Sequence, residues 1–256
     1  MNYQQLNHTI QGQGPAILLI HGLFGSLSNL GLLARDLVQD HTVISVDLRN
    51  HGHSFHSDAM NYPAMAEDLN HLLIDLNISS AIVIGHSMGG KAAMALCNIA
   101  SDKVSKLIVL DMAPVAYQQR RHDNVFSGLK AVINEKPQSR KQALDCLAQH
   151  IEIDGVRQFL AKSLHNKDGY LQWLFNVEGI INNYQHIQDW ADISPFNGET
   201  LFLKGADSDY LMPEHQAAIQ KQFPNSKAHI ITNTGHWLHA EKPIEVLRSI
   251  RRFIKK

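Results

Sequence analysis

The chain has 256 residues, 44% hydrophobic and 18% charged, which is enough for one sizeable core and unlike a disordered or fibrous composition. Its 23 basic and 24 acidic side chains leave a formal charge of −1. The only basic run is the Arg251-Arg252…Lys255-Lys256 tail, where cations suit a helix C-terminus, so a nucleic-acid partner is not expected. Cys97 and Cys146 are too few for a disulfide framework and fall in helix-like apolar patterns, as reduced core residues would. No stretch approaches the ~18 apolar residues of a membrane span, and Met1-Asn2-Tyr3-Gln4-Gln5 has neither a cationic start nor an apolar run. The expectation is a cytoplasmic monomer or homodimer with no stable membrane insertion.

From Ala16 onward, short apolar runs alternate with longer amphipathic stretches, the pattern of a parallel sheet covered by helices. Ala16-Ile17-Leu18-Leu19-Ile20 is continuously apolar, as a strand buried on both faces must be. Asn29 to Val38 spaces Leu30, Leu33, Ala34 and Leu37 as a helix does, and His41 to Asp47 gives the next strand. Pro63 opens a helix with its stripe at Met65, Leu69, Leu72, Leu73 and Leu76. Ala81-Ile82-Val83-Ile84 is a strand, Lys91 to Ala100 a helix, and Leu107-Ile108-Val109-Leu110 a strand ending at Asp111.

There the alternation stops. Val115 to about Asp192 reads as helices, among them Ser139 to His150 and Val156 to Leu164, with aromatic residues between them. Strands return at Leu201-Phe202-Leu203 and Ala228-His229-Ile230-Ile231, separated by a helix from Glu214 to Phe223. A helix from Glu241 to Ile254 closes the chain, with Ile244, Val246, Leu247, Ile250 and Ile254 expected on its inner face. The predicted organisation is one α/β core, residues 1–114 and 193–256, carrying a helical lid at 115–192 inserted between two strands of the sheet.

The motif with chemistry in it is Gly85-His86-Ser87-Met88-Gly89, between a strand and a helix. A G-x-S-x-G turn in that context lifts the serine hydroxyl above the sheet edge, and its glycines are needed because a Cβ two residues from the serine would strike backbone. The following helix N-terminus lies beneath Ser87, so the Met88 N–H is available to a negative oxygen. A second such donor belongs in the loop after the first apolar strand, His21-Gly22-Leu23-Phe24-Gly25, and is assigned to Leu23. Serine needs a base, and of the 16 histidines His236, in Thr234-Gly235-His236-Trp237 after the last strand, occupies the same sheet edge.

The segments His21-Gly22-Leu23-Phe24-Gly25-Ser26, Asp47-Leu48-Arg49-Asn50-His51-Gly52-His53-Ser54, Gly85 to Gly90 and Gly235-His236-Trp237 together resemble the α/β-hydrolase superfamily, and within it the bacterial YbfF-type esterases. The resemblance runs from about residue 16 to the end and is weakest in the helical insertion. It implies an α/β-hydrolase fold and activity on short acyl esters and acyl-CoA thioesters, with a small-molecule substrate and no cofactor or metal.

The acid of such a site usually follows the strand at Leu201-Phe202-Leu203, yet in Lys204-Gly205-Ala206-Asp207-Ser208-Asp209 its place holds Ser208. Asp111, at the carboxyl end of another strand on the same edge, is the alternative; it would fix the imidazole tautomer and stabilise the imidazolium. The resemblance favours Asp111 over Asp207 or Asp209 and makes Ser208 an additional hydrogen-bonding partner.

Three other readings compete. His51, His53 and His56 form an alternating run that could serve a metal-dependent hydrolase, but the adjacent Asp-His pair of such enzymes is missing. A non-catalytic binding protein shares the scaffold, though such proteins often lose the serine or histidine that this chain retains. A carbon–carbon bond hydrolase or lyase shares the serine elbow. Of the insertion's aromatics Phe126, Phe159, Trp173, Phe175, Tyr184 and Trp190, some are expected to roof an acyl pocket and at least half to be core.

Overall fold

The computed structural model describes residues 4–255; the features read on Met1–Tyr3 and on Lys256 lie outside it. In chain order the first half comprises β1 (His8–Gln11), β2 (Ala16–Ile20), α1 (Gly31–Leu37), β3 (Thr42–Val46), α2 (Tyr62–Asp75), β4 (Ala81–His86), α3 (Met88–Ile99) and β5 (Val104–Leu110). After β5 come α4 (Asp123–Glu135), α5 (Arg140–Ala148), α6 (Asp154–Ala161), β6 (Leu164–Lys167), β7 (Tyr170–Trp173), α7 (Val177–Asn182) and α8 (Tyr184–Gln188). The chain then returns through β8 (Glu199–Gly205), α9 (Gln216–Gln222), β9 (Ser226–Ile231), α10 (Leu238–Glu241) and α11 (Pro243–Ile254).

Seven strands form one sheet in the order β1-β3-β2-β4-β5-β8-β9. Among the described residues of this sheet only β1 runs antiparallel to its neighbour, and every other pairing within it is parallel. The central strands are buried on both faces, which explains why β2 and β4 read as unbroken apolar runs. One face carries Leu18, Ile20, Val83 and Val109 against α2 and α3, and the other carries Ile17, Leu19, Ile84 and Ile108 against α1 and α11. The two faces are thus two separate apolar layers with the sheet between them. No described helix is long and apolar enough to cross a membrane.

Three sequence expectations change. The segment between β5 and β8 is not wholly helical, because β6 and β7 pair as an antiparallel hairpin. Its turn is Asp168-Gly169, both at positive φ (55° and 86°), the conformation that an Asp-Gly hairpin turn requires. The closing helix is interrupted at Lys242, since Pro243 starts a new helix rather than continuing α10. Ile244, in the first turn of α11, is 69% exposed, whereas Phe253 takes an inner position. The polar edge strand β1 was not anticipated.

The segment leaves and re-enters the sheet at adjacent strands, because β5 pairs directly with β8. Its exit is fastened to the core by Lys91 on α3. That side chain is fully buried, and its Nζ donates to the carbonyls of Gln188 (3.1 Å) and Asp189 (3.0 Å), where α8 ends. The rings of Tyr62, Tyr117 and Trp190 surround it at 5.3, 4.8 and 5.9 Å. Burial pushes this ammonium down to about 7.

Candidate active site

Ser87 stands between β4 and α3 with φ 54° and ψ −123°, a backbone conformation that L side chains rarely adopt. Two glycines permit the turn. A Cβ on Gly85 would lie 2.2 Å from the Gly89 carbonyl oxygen, and one on Gly89 would lie 2.3 Å from that of His21. The serine N–H is held by the carbonyl of Leu110 at 3.0 Å, so the elbow is tied to the end of β5.

That end of β5 brings in the carboxylate. Asp111 also has positive φ (52°), and its N–H donates to the Leu203 carbonyl at 2.8 Å. Its side chain is completely buried. One oxygen accepts the Gly205 N–H at 3.0 Å; the other accepts His236 Nδ1–H at 2.7 Å and the Ser208 hydroxyl. On the far side of the ring, His236 Nε2 accepts the Ser87 hydroxyl at 2.8 Å. The structure therefore joins Ser87, His236, Asp111 and Ser208 in one chain of hydrogen bonds. Asp209 instead pairs with Arg121 at 2.5 Å, and the Asp207 N–H caps onto the Thr234 carbonyl at 2.9 Å.

In such a chain the imidazole can take the serine proton, and the buried carboxylate both selects the Nδ1–H tautomer and stabilises the ring when it becomes charged. Met88 is the first residue of α3, so its N–H has no intrahelical acceptor. Leu23 lies inside the turn closed by the Gly25 N–H on the Gly22 carbonyl (3.0 Å), and its own N–H is not used in that closure. Gly22 packs so close to the elbow that an added Cβ would be 3.2 Å from Ser87 Cβ. The Met88 peptide follows Ser87 directly, and Leu23 follows the glycine that packs on the elbow.

Of the His51-His53-His56 run, the His51 side chain serves the scaffold, while those of His53 and His56 are exposed. His51 is fully buried; its Nε2 accepts the Phe24 N–H at 3.1 Å, which leaves Nδ1–H to donate to the Arg49 carbonyl at 3.0 Å. Both ring nitrogens are engaged, and burial lowers the imidazole to about 3. Asp47 gathers the same region by accepting N–H groups from Leu27 (2.6 Å) and His53 (2.9 Å). A Cβ on Gly52, which has φ 52°, would fall 2.2 Å from that carboxylate. The Asp47–Ser54 motif therefore holds the loop that carries Leu23 and Phe24. Among the described residues no group of three or more His, Cys, Asp or Glu side chains is arranged to hold a metal ion.

Several side chains of the site had no clear sequence signal. The Tyr210 ring stacks on His236 with centroids 3.9 Å apart. His86 Nε2–H donates to the His236 carbonyl at 2.9 Å, and its ring lies 4.3 Å from that of His239. Burial, reinforced by the neighbouring histidines, holds His86 well below the ordinary histidine range. His239 is lowered to about 3 and His122 to about 4, again chiefly by burial and then by His236. His236 is thus surrounded by imidazoles that stay neutral at neutral pH.

Ser87 and His236 open onto a cavity of about 370 Å³. Leu23, Phe24, Met88 and Met112 from the core face Val125, Val156, Phe159, Leu160, Tyr184 and Ile187 from the segment between β5 and β8. Of the six aromatics named from the sequence, Phe159 and Tyr184 line this space. Trp173 and Phe175 stack on each other at 5.2 Å in the core with Phe126, and Trp190 borders a second hollow of about 210 Å³.

Comparison with known proteins fits this geometry. The sequence profile of the α/β hydrolase fold matches residues 15–243, and the chain belongs to that family. It is 49% identical over 244 residues to the esterase YbfF of Escherichia coli (strain K12), spanning 95% of this chain and 94% of that protein. It is also 38% identical over 248 residues to the mouse sn-1-specific diacylglycerol lipase ABHD11, spanning 94% of this chain and 81% of that protein. Among solved structures, a marine microorganism esterase superposes with a TM-score of 0.95 at 35% identity, covering 98% of this chain and 100% of its own.

Proposed function

We propose that this chain hydrolyses acyl esters by two-step acyl transfer, with Ser87 as nucleophile, His236 as general base and then general acid, and Asp111 as the carboxylate that orients it. The unbroken run of hydrogen bonds from Ser87 through His236 to Asp111, facing an apolar cavity, carries this reading. The chain is a carboxylic ester hydrolase on the α/β-hydrolase fold, as are the esterases and lipases it is similar to.

Ser87 Oγ adds to the acyl carbonyl as His236 Nε2 takes its proton, and the carbonyl oxygen becomes an oxyanion. The Leu23 and Met88 N–H groups stabilise that charge where it develops. The tetrahedral adduct collapses, His236 returns the proton to the leaving oxygen, and the acyl group remains on Ser87. Water then attacks with the same base and the same donors, releasing the acid and restoring the serine. Ser208 donates to Asp111 and keeps its oxygens directed at His236. No step calls for a metal or a cofactor.

Thioesters, including those of coenzyme A, belong to the proposed substrate range because their hydrolysis passes through the same oxyanion and a thiolate leaves readily. Residues 115–192 act as a lid that shapes the acyl pocket. The two unpaired, buried cysteines suit a reducing cytoplasm. The test is a panel of p-nitrophenyl acyl esters and acyl-CoA thioesters, run with wild type and Ser87→Ala. Activity in the alanine variant should fall by about 10⁴-fold or more. Activity that persists in Ser87→Ala, or that a chelator abolishes, would overturn the reading.

A further inference from the structure

The candidate triad comes entirely from sheet-edge loops, yet one polar side chain from the segment after β5 reaches the same cavity with a fixed hydrogen-bonding polarity. We propose that His122 is a specificity residue whose Nε2–H binds an oxygen acceptor in the leaving-group half of the ester, so that the enzyme favours esters of alcohols carrying a further hydroxyl or carbonyl. This rests on the reading of Ser87 and His236 as the acyl-transfer pair.

His122 immediately precedes α4 and lines the cavity that Ser87 and His236 open onto. Its Nδ1 lies 2.6 Å from the Tyr184 hydroxyl, which also accepts the Arg121 N–H at 3.3 Å. These two contacts decide the tautomer. If Nδ1 carried the proton, two donors would converge on the Tyr184 oxygen and the phenol proton would have no acceptor. With the phenol donating to Nδ1, the Tyr184 hydroxyl, Nδ1 and the Arg121 N–H are all satisfied and the ring proton sits on Nε2. That nitrogen has no hydrogen-bond partner among the described residues, yet it is not one of the buried polar atoms sealed away without one. The cavity is the space it opens on.

The ring is also held in place. Phe24, next to the proposed oxyanion donor Leu23, meets it edge-on at 5.8 Å, and Tyr184 meets it edge-on at 5.6 Å. Burial keeps the imidazole neutral, so it presents one directed donor rather than a mobile charge. Its chain neighbour Arg121 lies over the Tyr210 ring at 4.6 Å, and that ring stacks on His236 at 3.9 Å, which sets His122 on the His236 side of the site. His236 delivers its proton to the leaving oxygen, so a donor on that side meets the alcohol part of the substrate.

A matched pair of esters tests this: propyl butyrate and 1-monobutyrin share the acyl group and carbon skeleton and differ by two hydroxyls on the leaving group. The readout is the ratio of kcat/KM for monobutyrin to that for propyl butyrate. In His122→Phe this ratio should fall roughly three- to tenfold, the loss of one neutral hydrogen bond to substrate. His122→Gln retains an N–H donor and should recover much of it. Tyr184→Phe keeps the fold and removes the tautomer lock, and should lower the ratio to an intermediate value. An unchanged ratio in both His122→Phe and Tyr184→Phe, or an equal loss on both esters, would overturn the proposal. Persistence of either hydrolysis in Ser87→Ala would instead overturn the reading of the site on which it stands.

Discussion

The sheet core and the segment between β5 and β8 both border the cavity, but they contribute different kinds of atoms to it. The core supplies Ser87, Asp111, Ser208 and His236 at or after the ends of β4, β5, β8 and β9. The first three are fixed by backbone hydrogen bonds to a neighbouring strand or turn, and His236 by its carbonyl accepting His86 Nε2–H and its ring donating to Asp111. The segment supplies apolar wall, Val125, Val156, Phe159, Leu160 and Ile187, together with polar side chains, among them Gln119, Arg121, Gln158, Lys162 and the directed donor His122. A parallel sheet places side chains rigidly, because its loops are anchored by strands buried on both faces. Short helices and a hairpin packed on that edge can vary without moving the reacting groups. The division implied is chemistry from the sheet and selectivity from the segment.

The largest expected effect breaks the core side of that division. Asp111→Asn should lower kcat by about 10³- to 10⁴-fold on every acyl chain length, because the amide favours the wrong His236 tautomer. Asp209→Asn, which removes only the exposed pair with Arg121, should leave kcat within a few-fold. If the two results were exchanged, the acid would belong to the loop after β8. Ser208→Ala should cost about tenfold in kcat with little change in KM, since one donor to the Asp111 carboxylate is lost while the carboxylate keeps Gly205 N–H and His236. An effect confined to KM would place Ser208 on the substrate instead.

Substitution in the segment should look different. Phe159→Ala enlarges the cavity wall and should shift the preferred acyl length, moving relative kcat/KM between short and longer p-nitrophenyl esters several-fold while Ser87 stays reactive. A uniform loss over all lengths would contradict the division.

The joint between the two regions gives a pH signature. In the folded chain burial holds Lys91 near 7, while in the unfolded chain it titrates near its ordinary value. Between those limits the unfolded state binds more protons, so stability rises with pH there and is flat with respect to this group below about 7. Denaturant midpoints of wild type and Lys91→Met, measured from pH 6 to 10, should therefore diverge in favour of wild type above neutrality. Convergence or a wild-type loss would show that the clasp on Gln188 and Asp189 depends on the charged ammonium.

Much of this was legible in the residues. The strands β2, β4 and β5 are continuous apolar runs because both of their faces are buried, and the Gly85–Gly89 spacing reports a turn that only glycine permits. The edge strand β1, His8-Thr9-Ile10-Gln11, was not legible because it is mostly exposed and holds its place by pairing with β3. The hairpin of β6 and β7 did leave a signal, Asp168-Gly169, but its strands are only half-buried and carry no clean alternation. The placement of Asp111 rests on the register of β5 against β8, which no local pattern encodes. His122 and Tyr184 stand 62 positions apart and meet only through the fold.

The central claim is that Ser87 carries the acyl group. Treating the protein with an organophosphate such as diethyl p-nitrophenyl phosphate, then mapping the adduct by peptide mass spectrometry against residual esterase activity, tests it directly. The account predicts one adduct, on Ser87, accumulating in step with loss of activity, and none in His236→Ala over the same interval. Inactivation with the adduct on another residue, or full labelling of Ser87 with activity intact, would contradict it.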